Sequence, residues 1–212
     1  MLSVKQTIDK YNLIKKGDVI GCAVSGGSDS MALLHYLLSI KHEYGFDLIC
    51  VNVEHGIRGA ESEGDSLFVE KFCAQMGVPF YFLKADAPSY ARKNKLNIEE
   101  AARNIRYGYF YSLISENICS KIFTAHNQND NAETVLFNIF RGSGLKGICG
   151  MRVDNSKGII RPMLETPKAE IENYIKQNNI EYKTDSTNND ISYSRNYIRK
   201  KLMTLIEKRF NG

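Results

Sequence analysis

The octapeptide Ala23-Val24-Ser25-Gly26-Gly27-Ser28-Asp29-Ser30 sets the terms for the rest of the chain. An apolar run over residues 19–24 leads into it, and Met31, Leu33, Leu34, Leu37 and Leu38 follow at helical spacing. This pattern predicts a buried strand, a glycine turn and a helix N-terminus. Gly26 and Gly27 carry no Cβ, so backbone amides can approach an anion closely. The helix start adds unpaired N–H groups and the positive end of a dipole. Ser25, Ser28 and Ser30 add hydroxyls. Asp29 is the odd member, because a carboxylate beside a phosphate is repulsive unless a cation joins them. The expected ligand is therefore a nucleotide with Mg²⁺ held at Asp29. No Gly-Lys-Ser/Thr follows at the spacing of a Walker A loop. The competing interpretation is a plain helix cap after a strand.

Outward from this point, apolar runs at residues 48–53, 79–83 and 121–125 read as further strands. Helical periodicity fills residues 61–76, 97–114 and 126–139, and a shorter helix leads the chain over residues 1–16. Near-continuous apolar strands alternating with helices predict an α/β fold, a doubly wound parallel sheet covered on both faces. Ligands of such sheets bind at the carboxyl ends of the strands. The polar clusters 25–30, 54–58 and 126–133 all fall there. Residues 85–96 are polar and basic, with Lys84, Arg92, Lys93 and Lys95 close together. After Arg141 a glycine-rich loop is followed by a hairpin expected over residues 151–160, a helix from Pro167, and a basic amphipathic helix over residues 195–210.

With 212 residues, 43% of them apolar, the chain is large enough for a full core, and its net charge of +4 is compatible with a nucleic-acid partner. No apolar run is long enough to cross a bilayer and the N-terminus lacks signal-peptide character, so a cytoplasmic protein without membrane contact is expected. Cys22, Cys50, Cys73, Cys119 and Cys149 are isolated, with no Cys-x-x-Cys, and are expected to be buried thiols rather than metal or disulfide partners.

Several groups could carry chemistry. His126, Asp130 and Glu133 are spaced to share one helical face, which could hold a metal, a cationic substrate or a histidine beside a phosphoryl group. Arg103 and Arg106, followed by Tyr107, could address one anion or pair with Glu99 and Glu100. His55 and Arg58 close the second strand and would border a nucleotide held at 25–30. Arg141-Gly142-Ser143-Gly144 is either a second anion cradle or a helix C-cap. Arg195, Arg199, Lys200 and Lys201, interleaved with Tyr193 and Tyr197, could face nucleic-acid phosphates or solvent. His35 and His42 read as structural or surface residues.

Taken together and in order, these motifs resemble the tRNA(Ile)-lysidine synthetase family of N-type ATP pyrophosphatases, the PP-loop superfamily. Ser25-Gly26-Gly27-Ser28-Asp29-Ser30 is its PP-loop. Glu54-His55-Gly56-Ile57-Arg58, Glu100-Ala101-Ala102-Arg103 with Arg106-Tyr107, Thr124-Ala125-His126 with Asp130, Glu133 and Thr134, Arg161-Pro162-Met163-Leu164, Asp185-Ser186-Thr187-Asn188 and Arg195-Asn196 with Ile198-Arg199 resemble the family's later motifs. The resemblance implies a reaction in two steps. ATP adenylates the C2 carbonyl oxygen of the wobble cytidine in a CAU-anticodon tRNA(Ile), releasing pyrophosphate, and the ε-amine of L-lysine then attacks C2 and displaces AMP. It implies pyrophosphate and Mg²⁺ at residues 25–30, with Asp29 as metal ligand. It places His55, Arg58, Arg103, Arg106 and His126 around the nucleotide, the last two acting near its α-phosphate. Lysine would sit on Asp130 and Glu133, and tRNA on Arg195, Arg199 and Lys200. A homodimer is also expected. Asn52 and Glu54 depart from the family, which often has histidine and aspartate there. Residues 127–131 lack a second histidine that many members carry. The whole chain reads as one catalytic domain, residues 142–212 adding the hairpin and helical extension, with further tRNA-binding domains not expected in it. The rivals are a thiolating PP-loop tRNA modifier, which would need suitably spaced cysteines, an NAD- or GMP-synthetase-type ligase, and a non-catalytic nucleotide- or RNA-binding module.

Overall fold

A computed structural model describes residues 1–57, 59–184 and 194–210. The strands are β1 (Val19–Ala23), β2 (Asp47–Glu54), β3 (Phe80–Lys84), β4 (Lys121–Phe123) and β5 (Ile159–Ile160), in the spatial order β3-β2-β1-β4-β5 with every pairing parallel. Before β5 the helices are α1 (Leu2–Lys10), α2 (Ser28–Tyr44), α3 (Ala60–Met76), α4 (Ala87–Asn94), α5 (Ile98–Ser115), α6 (Gln128–Phe140) and the single turn α7 (Leu145–Ile148). After β5 come α8 (Lys168–Gln177) and a C-terminal helical segment, in which a π-helical stretch, Ile198–Met203, separates α9 (Ser194–Tyr197) from α10 (Thr204–Phe210).

The period-two alternation of a strand divides the core between the two faces of the sheet. Leu48 and Cys50 of β2 join Ile20, Cys22, Phe123 and Ile160 in one cluster with α1, α2, α3 and α8. Ile49 and Val51 join Ile122, Ile159, Phe110 and Leu113 in the other, under α5. The sheet is therefore doubly wound, as expected. The chain runs outward from β1 to β3, then returns to the other side of β1 for β4 and β5. That reversal opens a crevice at the carboxyl ends of β1 and β4, which positions the site.

Four local readings need amendment. Residues 85–96, to which the sequence reading gave no element, contain α4. Asp86 caps it by accepting from Ser89 N at 2.8 Å, a proline stands in its first turn, and Ala87 and Ala91 are buried. The leading helix ends at Lys10 rather than reaching residue 16. The hairpin over 151–160 is short, with one antiparallel bridge, Asp154 to Ile160, and backbone bonds from Arg161 N to Val153 O at 2.7 Å and Asn155 N to Ile159 O at 3.2 Å; Ile159–Ile160 also pairs with β4 on its other edge and buries one isoleucine on each face. Cys22, Cys50, Cys73 and Cys119 are buried thiols, but Cys149 is exposed. No helix among the described residues is long and apolar enough to cross a membrane.

Candidate active site

Directly after β1, the backbone of Gly26 takes φ +88°, a conformation that favours glycine. The turn is tied to itself. Ser30 Oγ donates to Gly27 O at 2.9 Å and accepts from Ser25 N at 3.2 Å. Gly27 is the N-cap of α2 and no side chain caps it. The first-turn amides of α2 thus lie at the crevice without a side-chain cap, beside the hydroxyls of Ser25 and Ser28, while the preceding Gly27 N donates to Ser25 Oγ at 3.4 Å. This is an anion-binding arrangement.

Three carboxylates lie beside it. Asp29, in the first turn of α2, accepts from Asn127 Nδ2 at 3.0 Å and is ion-paired with Lys168, whose Nζ also reaches Ser28 Oγ at 3.2 Å. Asp130 and Glu133 are on α6, as the spacing predicted. Asp130 also closes a capping box: its Oδ2 accepts from Asn127 N at 3.0 Å while Asn127 Oδ1 accepts from Asp130 N at 3.0 Å. Burial pushes the Asp130 carboxyl above the usual range, the bond from Asn127 N and the charge of Arg199 pulling the other way. Glu133 is only 4% exposed. Its two oxygens receive the Arg199 fork, Nε to Oε1 at 2.6 Å and Nη2 to Oε2 at 3.0 Å, and Nη2 also reaches Asp130 Oδ1 at 3.1 Å.

His126 is not on the helical face with the two acids. It precedes the N-cap Asn127, in the turn after β4, where its Nδ1 is hydrogen-bonded to Thr124 Oγ1 at 2.9 Å. Arg199, in the basic row expected to face nucleic-acid phosphates or solvent, is exposed as a residue, and its guanidinium pairs with Asp130 and with the buried Glu133 carboxylate, which needs a counter-charge. Of the other basic residues assigned to that row, Lys200 is half-buried, and the Arg195 side chain lies outside the described residues.

The α5 side of the sheet carries the second group. The His55 ring is largely buried and its pKa falls to about 4, first through burial and then through the charge of Arg106. It is therefore neutral near pH 7. Arg103 lies 4.6 Å and Arg106 5.8 Å from the centre of the Tyr107 ring. Burial would raise the Tyr107 phenol, but Arg103, Arg161 and Arg106 outweigh it and bring the pKa below its usual value. Arg161, at the end of β5, is buried and donates from Nη1 to Arg152 O at 2.8 Å. Four of the elements carrying the motifs thus deliver His55, Arg106, His126 and Asp29 to one end of the sheet. Arg58 and the motif at 185–188 lie outside the described residues.

The Arg141 loop resolves as a C-cap. Gly142 N and Ser143 N bond back to Ile139 O at 3.0 Å and Asn138 O at 3.0 Å, so those amides serve α6. Sequence reasoning overlooked Lys168, and noted Asn52 and the stretch containing Asn127 only as departures from the family, with no role for either. Asn52 is buried and donates to Val24 O at 2.7 Å, just before the glycine turn. Only Asn127 left a local signal, as Asn three residues before Asp at a helix start.

A turn rich in glycine and serine after β1, a crevice at the sheet's reversal point and acids on the adjoining helix define a nucleotide-binding α/β domain of the PP-loop class. The match is explicit: the PP-loop domain family covers residues 2–206, and the chain belongs to that family. Among curated relatives it is 39% identical over 208 residues to a tRNA(Ile)-lysidine synthase of Clostridium tetani, covering 98% of this chain and 44% of that protein. It is 42% identical over 203 residues to the tRNA(Ile)-lysidine synthase of Thermosipho africanus, covering 96% and 47%. The chain thus spans about half the length of such relatives. A U34-tRNA thiolase, NcsA from Methanococcus maripaludis, solved with its [4Fe-4S] cluster, shares the fold with a TM-score of 0.78 at 19% identity, over 97% of this chain and 72% of that one. An NH₃-dependent NAD synthetase from Campylobacter jejuni aligns with a TM-score of 0.52 at 18% identity, over 95% and 84%.

Proposed function

We propose that this chain is the catalytic PP-loop domain of an ATP-dependent tRNA(Ile)-lysidine synthetase, joining L-lysine to C2 of the wobble cytidine of a CAU-anticodon tRNA(Ile). The observation that carries this is the convergence of an uncapped glycine-serine turn with three carboxylates in one crevice, in a chain 39% identical to a lysidine synthase. Residues 25–30 would hold the pyrophosphate portion of ATP through amides and hydroxyls. Mg²⁺ fits the donor set present: it is commonly held by one or two carboxylates with substrate phosphates and water, and Asp29 supplies one. Among the described residues no group of three His, Cys, Asp or Glu could hold a metal by itself, so Asp29 would share it with phosphate. When bound, the ion would offset charge developing on the departing pyrophosphate.

Arg106 and His126 would meet the α-phosphate region, the Thr124 bond fixing the His126 ring. His55, Arg103 and Arg58 would flank the nucleotide. The lysine ammonium would take the place that Arg199 fills on Asp130 and Glu133. Asp130, raised by burial, is the better placed of the two to accept the proton lost before attack on C2. Arg195 and Lys200 would contribute phosphate contacts to tRNA, and a cytoplasmic homodimer belongs to the same proposal. A thiolase reading is not favoured, because Cys22, Cys50, Cys73 and Cys119 are buried.

The reaction is tested by incubating the chain with ATP, Mg²⁺, L-lysine and an unmodified transcript, then omitting each in turn. Pyrophosphate and AMP in equal amounts, with lysine joined to the wobble cytidine, is the expected result. Pyrophosphate release with a different nucleophile on the base would refute the assignment.

A further inference from the structure

The ammonium of Lys168 lies where a polyphosphate would be bound, although neither the motifs nor the spacing pointed to it. It is the first residue of α8, and its position is fixed from both directions. Its amide donates to Asn129 Oδ1 at 3.3 Å and Gln128 N donates to Thr166 O at 3.1 Å, so the start of α8 is tied to the start of α6. One turn on, Ile171 is fully buried in the core cluster that includes α2. From this anchored backbone the side chain crosses to the N-terminus of α2, with Nζ 3.2 Å from Ser28 Oγ and ion-paired with Asp29.

That placement is electrostatically incomplete. An ammonium and the positive end of a helix sit together, and two positive groups tolerate each other only with an anion between them. Asp29 is that anion here, steadied on its other oxygen by Asn127 Nδ2 at 3.0 Å. If a divalent cation takes the Asp29 carboxylate, Lys168 loses its counter-ion at the moment a phosphate chain arrives beside it. Lysine is suited to the exchange, since its charge is compact and rides on a flexible four-carbon stem.

We propose that Lys168 is a polyphosphate-binding residue of this site, and that it exchanges the Asp29 carboxylate for a phosphate oxygen when a Mg²⁺-nucleotide binds. This rests on the nucleotide site proposed above and adds a ligand to it. Asp29 and Lys168 together present no net charge to the incoming phosphates; without Lys168 the turn presents Asp29 alone. The competing role is a lock, in which Lys168 only blocks Asp29 from the metal. The two roles predict opposite signs.

The test is equilibrium titration of the chain with the non-hydrolysable analogue α,β-methylene-ATP in Mg²⁺, with AMP as the comparator lacking the β- and γ-phosphates. Lys168→Met keeps the stem and removes the charge; Lys168→Gln is a second uncharged variant, and Lys168→Arg restores a cation. Loss of one charge-assisted contact predicts about tenfold weaker binding of the analogue to Lys168→Met and Lys168→Gln. AMP affinity should stay within about twofold, and Lys168→Arg should recover most of the loss. Unchanged or tighter binding of the analogue by the uncharged variants overturns the proposal in favour of the lock. Equal weakening of AMP and the analogue overturns it in favour of a structural role. Failure of the unsubstituted chain to bind the analogue at all is a separate result, and it refutes the nucleotide site itself.

Discussion

Replacing Arg199 by alanine should destabilise the fold, and free L-lysine should reverse part of the loss. Arg199 makes three hydrogen bonds, two to Glu133 at 2.6 and 3.0 Å and one to Asp130 at 3.1 Å. Removing one partner of a fully buried pair costs about 3–5 kcal/mol, whereas exposed pairs are worth under about 1 kcal/mol. Here the Glu133 side chain is 5% exposed and that of Arg199 45%, so an intermediate value of about 2 kcal/mol applies. For a chain of this length that lowers Tm by roughly 4–8 °C. If the lysine ammonium occupies the vacated position, L-lysine at about ten times its Kd returns roughly 1.4 kcal/mol, or about 3–6 °C. L-norleucine, which has a methyl group where lysine has its ammonium, should return almost none. The pH dependence has a definite sign. An acid whose pKa is raised on folding is most favourable below its unfolded pKa, and that advantage is lost as pH rises through the folded value. Asp130 is such a group and Arg199 holds its pKa down, so Arg199→Ala should lose more stability at neutral pH than at a pH near the ordinary carboxylate value. Thermal melts in the two amino acids at both pH values decide the matter. Equal rescue by lysine and norleucine, or no destabilisation, would refute the placement of lysine on these acids.

Asp130→Asn should fold nearly normally, because an amide oxygen can still accept the capping bond from Asn127 N, yet it should raise KM for lysine about tenfold or more while leaving tRNA-dependent pyrophosphate formation less affected; equal loss in both steps contradicts it. His55 should make the fold more stable as pH rises between its folded pKa of about 4 and the ordinary 6.5, since only the unfolded chain takes up a proton there. Partial exposure limits the full effect to about 1–2 kcal/mol. His35, depressed by burial, adds in the same direction. Denaturant unfolding of His55→Asn between pH 5 and 6.5 should show a flatter slope than the parent, and an identical slope would show that His55 is not held neutral.

The parts of the molecule that were legible in sequence are those set by local periodicity. Residues 19–24 read as a buried strand because alternate side chains enter the two core clusters, and Gly77 at φ +65° closes α3 as its position suggested. The helix α4 was missed because its apolar face consists of two alanines, although Asp86 and the following proline were cap signals. The two-residue strand β5 was read only as a hairpin arm because its sheet partner, β4, lies well upstream in the chain. The same distinction holds in the site. Asp29, Asp130 and Glu133 were found because they follow strand ends. Lys168 meets Asp29 across 139 positions, and Arg199 meets Glu133 across 66; neither contact has a periodic signature. Charge alone suggested Arg199 for tRNA phosphates; its pairing with the buried Glu133 carboxylate left no signal in the sequence.

The most direct test is a crystal structure of the chain with α,β-methylene-ATP, Mg²⁺ and L-lysine. The β- and γ-phosphates should lie against the amides and hydroxyls of residues 25–30, with the metal on Asp29 and the lysine ammonium between Asp130 and Glu133. Triphosphate bound away from the start of α2, or a lysine side chain bound elsewhere with Arg199 still on both acids, would contradict the account.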